Sequence, residues 1–265
     1  MELTEITPQA IRLRPSHQGR NVLVTGAARG IGRAIAQAFV ERSATVGICD
    51  LNPADVERTC AELNAQGPGR AVPMACDVSD YDALVAAIGA TGLEFDTVIN
   101  NAGISPKHDG VAHKVWQMAP EEWRRVVDVN LTGSFNTIRA LTPGMVAARR
   151  GWIVNTSSIA GKTYSPVVAC HYAATKSAII GFTKHLAAEL GPYAIRVNAL
   201  APGRINTPMV AGVAPEVNAE QVKLTPMARL GEPAEVADVA LWLTSTESSF
   251  VTGQTIDVAG GLYMT

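Results

Sequence analysis

Tyr172 and Lys176 lie four residues apart in the stretch CHYAATKSA, residues 170–178. On a helix that spacing puts both side chains on one face. A phenol has a pKa of about 10, too high for an efficient base near neutrality. A lysine cation beside it favours the phenolate, and each unit of lowering corresponds to about 1.36 kcal/mol. The pair is either one proton-transfer unit or two residues that happen to align. Downstream, Ile179, Phe182, Leu186 and Leu190 form one apolar stripe at helical spacing. Tyr172 falls on that stripe and Lys176 near its edge, so both are expected to point into the protein, where an unpaired lysine is costly.

A second chemical signal lies near the start of the chain. TGAARGIG spans Thr25 to Gly32, between an apolar run and a helical pattern containing Ile31, Ile35, Ala38 and Phe39. Gly26, Gly30 and Gly32 suit a tight turn, a close backbone approach and close helix packing. A pyrophosphate would then sit at a helix N-terminus, where N–H groups and the dipole favour anions. Asp50 ends the next strand pattern, where an acid can accept hydrogen bonds from adenosine ribose hydroxyls and repel a 2′-phosphate. NAD is therefore expected over NADP. Arg29, a basic residue in the glycine loop, argues the other way, with less weight.

The elements that must position these groups alternate along the chain. Strand patterns occur at NVLVT, TVGICD, AVPMACD, DTVINN, GWIVNTSS, AIRVNALAPG and TIDVAGG, most of them separated by helical patterns. Repeated βα units predict a doubly wound, seven-stranded parallel sheet with helices on both faces, an α/β Rossmann fold. The organisation expected is an N-terminal extension over residues 1–18 and a single catalytic domain over 19–265. One helix is expected from about Pro120 to Ala148. Two long connections, 104–119 and 203–225, are candidate functional loops. Asn130 is a poor helix former in the middle of its pattern, which suggests a local kink serving a site.

The chain has 265 residues, 47% hydrophobic and 17% charged, with a net charge of −2. That balance suits a large core and points to neither nucleic acid nor an acidic membrane surface. No apolar run is long enough to span a bilayer, and residues 1–20 lack the centre of a signal peptide. A soluble, cytoplasmic protein is expected. The four cysteines form no C-x-x-C pair and the five histidines no H-E-x-x-H, so buried free thiols and no metal site are expected. His171 reads as structural, and Arg149 and Arg150 as solvated residues at a helix end.

TGAARGIG, CDV at 76–78, NNAG at 100–103, VDVNLTG around Asn130, NTSSIAG at 155–161, YAATK at 172–176 and APGRINTPM at 201–209 occur in order. Together they resemble the short, single-domain branch of the short-chain dehydrogenase/reductase family, over about residues 19–265. The resemblance implies a catalytic set of Asn130, Ser158, Tyr172 and Lys176. Tyr172 would be the acid/base, Lys176 would lower its pKa and hold the nicotinamide ribose, Ser158 would bond the substrate oxygen, and Asn130 would hold a water continuing the proton relay. Ile31 and Leu51 would join the glycine loop and Asp50 in the cofactor cradle. Asp77 and Val78 would contact adenine, and Asn101, Ala102 and Gly103 would line the adenosine side. Ile205 and Thr207, after Pro202 and Gly203, would anchor the carboxamide.

The implied reaction is hydride transfer between a nicotinamide and a carbon whose oxygen exchanges a proton with Tyr172. A 3-oxoacyl thioester and a small hydroxyketone, sugar alcohol or cyclic alcohol compete as substrates. An extended-type sugar-nucleotide epimerase or dehydratase would need a larger C-terminal domain. A non-catalytic dinucleotide sensor would have less reason to keep both Tyr172 and Lys176. Trp116, Tyr164, Val167 and Met209 are candidate pocket residues. The apolar C-terminal tail and the long helices around 120–148 and 172–190 suggest a homotetramer through the family resemblance.

Overall fold

A computed structural model describes residues 17–264. Residues 1–16 of the expected extension lie outside the described residues. His17 already packs with the domain: its Nε2 lies 2.9 Å from Thr244 Oγ1, and its ring stands edge-on to Phe39.

The alternation read from sequence is present throughout. β1 (Asn21–Thr25) leads to α1 (Gly30–Val40), β2 (Thr45–Asp50) to α2 (Pro53–Gln66), and β3 (Arg70–Ala75) to α3 (Tyr81–Thr91). β4 (Thr97–Asn100) leads through a long segment to α4 (Pro120–Val127) and α5 (Gly133–Ala148). β5 (Gly151–Thr156) precedes α6 (Cys170–Leu190). β6 (Ile195–Pro202) precedes α7 (Pro208–Ala211), α8 (Pro215–Leu224) and α9 (Pro233–Thr244), and β7 (Thr255–Val258) closes the sheet.

All seven strands are parallel, in the order β3-β2-β1-β4-β5-β6-β7. Successive side chains of a strand point to opposite faces, and each face has its own core. Val22 and Val24 of β1 pack with Ile35 and Phe39 of α1, Leu63 of α2 and Val236 of α9. Leu23 packs on the other side with Ile138 and Met145 of α5 and Leu186 of α6. Burial on both faces explains why these strands read as apolar runs. Local signals fix where helices begin: Asn52 accepts from the N–H groups of Ala54 and Asp55 ahead of Pro53, and Glu232 and Glu235 form a reciprocal capping box at α9. The chain winds outward from β1 in one direction and from β4 in the other. The crevice left at the C-terminal strand ends is where such sheets bind ligands.

Several local expectations are revised. Residues 120–148 are not one regular helix, because a π-helical turn over Asp128–Thr132 separates α4 from α5, with buried Asn130 at its centre. This widened turn is the kink that the asparagine signalled. The 203–225 connection carries α7 and α8. Arg149 and Arg150 are exposed at the end of α5, as expected; Arg149 takes a left-handed backbone (φ 49°) and donates to Pro192 O, while Arg150 pairs with Asp96 at 2.8 Å. Of the four free cysteines, Cys49 and Cys60 are buried, Cys76 is half-buried and Cys170 is exposed.

Candidate active site

The strand ends open into a cleft of about 680 Å³, within the range of small-molecule sites. At one end, β1 turns through Gly26 (φ +63°) into α1. Gly32 packs so closely behind this turn that an added Cβ would lie 2.1 Å from Gly26 O and 2.5 Å from Asn101 Nδ2. No other residue type fits there. Arg29, the α1 N-cap, is exposed and makes no side-chain cap, which leaves the first N–H groups of α1 available to an anion. Asn101 holds the turn from the β4 side: its Nδ2 donates to Thr25 O and Gly26 O, and its N–H donates to Thr25 Oγ1.

Asp50 stands at the end of β2, half-buried. Its Oδ2 accepts from Ala28 N at 3.0 Å and its Oδ1 from Leu51 N at 2.8 Å. Each oxygen keeps a lone pair for a further donor, as ribose hydroxyls require. Across the cleft mouth, Asp77 bonds Ser79 through Oδ1 and pairs with Arg125 through Oδ2 at 2.9 Å. Thiols Cys49 and Cys76 also line this end, with sulfurs 3.5 Å apart. The glycine cradle, the uncapped helix start and the two-sided Asp50 carboxylate fit a nicotinamide dinucleotide.

At the other end, β5 and α6 bring Ser158, Tyr172 and Lys176 together. Tyr172 is half-buried and Lys176 is 3% exposed. Both occupy the inward face that the apolar stripe predicted. Lys176 Nζ donates to Thr156 O at 2.7 Å and lies 5.6 Å from the centre of the Tyr172 ring. Burial lowers the Lys176 pKa to about 8. Burial raises that of Tyr172, and the Ser158 hydroxyl pulls it back downward.

Asn130 reaches the site indirectly. Its Oδ1 accepts from Ile104 N at 2.8 Å, and its Nδ2 donates to Ile104 O and Thr175 Oγ1. It props up the strand end carrying Gly103, beside Lys176 Nζ. Every other expected site residue except Gly32 lines the cleft directly: the glycine-loop, β2-end, β3-end and β4-end positions, Ser158, Tyr172, Lys176, and Pro202, Gly203, Ile205 and Thr207. Gly32 and Asn130 lie behind its wall. Of the candidate pocket residues only Met209 lines it, while Trp116 and Tyr164 are about four-fifths exposed elsewhere.

A family model described as enoyl-(acyl carrier protein) reductase matches residues 26–263. The chain belongs to the short-chain dehydrogenase/reductase family. It is an oxidoreductase that interconverts CH–OH and ketone groups. A 3-oxoacyl-(acyl-carrier-protein) reductase from Thermotoga maritima is 39% identical over 249 residues, covering 92% of this chain and 98% of that protein. A crystal structure of a 3-oxoacyl-(acyl-carrier protein) reductase from Brucella melitensis is 89% identical, with a TM-score of 0.96, covering 100% of this chain and 99% of its own. A second Brucella melitensis reductase structure, with bound NAD, is 86% identical over the same shares, with a TM-score of 0.94.

For a short-chain dehydrogenase/reductase, several supporting groups escaped the sequence reading. Thr25 accepts from the N–H groups of both Asn101 and Ala102. Thr156 anchors Lys176 through a backbone carbonyl, which carries no side-chain signal. Arg125 reaches Asp77 from α4. Of these, Thr25 alone carries a local signal, its place immediately before the first loop glycine. No described helix is long and apolar enough to cross a membrane.

Proposed function

We propose that the chain is an NAD-preferring 3-oxoacyl-thioester reductase that exchanges the substrate proton through Tyr172. The observation carrying this reading is the single cleft that has the Asp50 carboxylate at one end and Tyr172, Ser158 and Lys176 at the other. The printed activity of the Thermotoga and Brucella relatives supports the thioester class. The NAD in one of them supports the cofactor preference, as does an acid where a 2′-phosphate would lie.

Bound nicotinamide supplies or accepts the hydride, and in its oxidised form carries a positive charge that favours phenolate at Tyr172. Every other step belongs to the chain. In reduction Tyr172 donates its proton to the ketone oxygen; in oxidation it removes the proton from the alcohol. Ser158 donates to the same oxygen as negative charge develops on it. Lys176 has three donors and spends one on Thr156 O, leaving two for ribose hydroxyls and for proton return to Tyr172. Asn130 keeps Gly103 and Lys176 in register through its bonds to Ile104 and Thr175. Asp50 receives the adenosine ribose, with Arg29 at its flank. Asp77 and Val78 form the adenine end, while Ile205 and Thr207 bracket the carboxamide.

A homotetramer in the cytoplasm is part of the proposal. Trp123 and Phe135, exposed within 120–148, and the fully exposed Phe250 support a subunit interface. Unbridged thiols 3.5 Å apart at Cys49 and Cys76 suit a reducing compartment. The test is a panel of 3-oxoacyl thioesters, small hydroxyketones and sugar alcohols, followed at the nicotinamide absorbance with both cofactors. Turnover of thioesters with NADH at least tenfold above NADPH is expected. Efficient turnover of small hydroxyketones alone would transfer the same chemistry to that class.

A further inference from the structure

Four side chains from three segments meet outside the cleft, beside the start of α6. His108 and His113 lie on the connection between β4 and α4, Glu122 on the first turn of α4, and His171 next to Tyr172. The rings of His108 and His113 are stacked, with centroids 3.4 Å apart and planes within 1°. His108 Nε2 is 2.8 Å from Glu122 Oε2, and His113 Nδ1 is 3.6 Å from the same oxygen. Oε1, the other carboxylate oxygen, is 2.9 Å from Nε2 of His171, whose side chain is wholly buried.

A His–carboxylate ion pair accounts for only part of this. His108 can donate to Oε2. His113 Nδ1 is too far from that oxygen for a hydrogen bond, yet it is buried with no hydrogen-bond partner. A buried nitrogen of this kind calls for a partner.

We propose that His108, His113 and Glu122 bind a divalent first-row transition cation, with zinc as the expected occupant. Their three ligand atoms lie within 4.8 Å of one another. Zinc–nitrogen and zinc–oxygen bonds of about 2.0–2.2 Å require one imidazole to rotate out of the stack, because the lone pairs of parallel rings do not converge, together with a loop movement on the order of 1 Å. Two imidazoles favour zinc over calcium or magnesium, which take oxygen ligands. His171 supplies the outer shell, because its N–H holds the unliganded oxygen of Glu122 and so orients the other.

The cation would pin the segment whose beginning walls the cleft. Ile104, Ser105 and Pro106 line the cleft, and the neighbouring Lys107 ammonium donates to the Val167 carbonyl. Zinc at His108 and His113 would fasten this wall to α4 and, through His171, to the helix that carries Tyr172. It takes no part in hydride transfer, and the inference does not depend on which substrate the cleft accepts.

The test is calorimetric titration of Zn2+ into the chelator-stripped full-length chain. One Zn2+ per chain is expected, with a higher Tm when it is bound. Either His108→Ala or His113→Ala should weaken binding at least tenfold and abolish that Tm shift. His185→Ala should do neither, although His185 forms the competing surface pair with Glu189 at 3.8 Å. Unchanged affinity in the His108→Ala/His113→Ala double variant, loss on His185→Ala, or no Zn2+ binding by the unmutated chain would each overturn the proposal. Should the variants fail to fold, Co2+ added to the unmutated chain decides. Visible d–d bands of a nitrogen- and oxygen-ligated site support the proposal, and their absence refutes it.

Discussion

Lys176 is held in a state that ought to be visible as a pH-dependent stability. The residue is 3% exposed, its ammonium donates to the neutral Thr156 carbonyl, and burial brings its pKa from 10.5 to about 8. Between those two values the unfolded chain holds a proton that the folded chain has released. Stability therefore rises with pH through that window, and the cost of the buried cation is felt in full only well below pH 8, where both states hold the proton. A difference of about 2.5 units is worth about 3 kcal/mol once both states are deprotonated, of which about 2 kcal/mol is recovered by about pH 9.5. In a chain of this size 1 kcal/mol moves Tm by about 2–4 °C. Thermal unfolding without cofactor should then show the unmutated chain gaining about 4–8 °C on Lys176→Met between about pH 7 and pH 9.5. The comparison cancels the tyrosines and lysines common to both proteins. Parallel pH profiles would refute the reasoning, because they would mean that Lys176 titrates in the fold as it does in water.

Three further outcomes are expected. Tyr172→Phe should lower kcat by about 10²–10⁴-fold, the usual worth of a positioned acid/base, while the NAD dissociation constant measured by fluorescence changes little; retained turnover would remove Tyr172 from the proton transfer. Asp50→Ala should bring the NAD and NADP dissociation constants closer together, mainly by improving NADP, and equal affinities in the unmutated chain would rule out the ribose role of Asp50. Gly32→Ala forces a methyl group against Gly26 O and should cost about 1–3 kcal/mol in denaturant unfolding, together with loss of cofactor binding; a neutral result would show that the α1 turn can move aside.

The parallel sheet was legible because strands buried on both faces must be apolar throughout and must be joined by helices. The cofactor cradle was legible because its constraints are local: a glycine where a Cβ would strike the preceding turn, and an acid one strand away. Tyr172 and Lys176 were legible as an inward pair because helical periodicity carries direction. Asn130 was legible as a misfit, and the fold answers it with a π turn. The electrostatics of the pair were not legible. They depend on the Thr156 carbonyl, a backbone group brought from β5, and on burial by elements far away in the chain. Nor were the walls of the cleft, since Trp116 and Tyr164 turn outward while Cys49, Cys76 and Arg125 turn in. The histidine cluster is the clearest case. His108, His113, Glu122 and His171 share no local motif, and they meet only because an irregular connection crosses α4 at the start of α6. Sequence alone determined what periodicity and local sterics can specify; the tertiary structure decided what depends on distant groups meeting, because solvent exclusion and side-chain direction in loops are properties of the assembled fold.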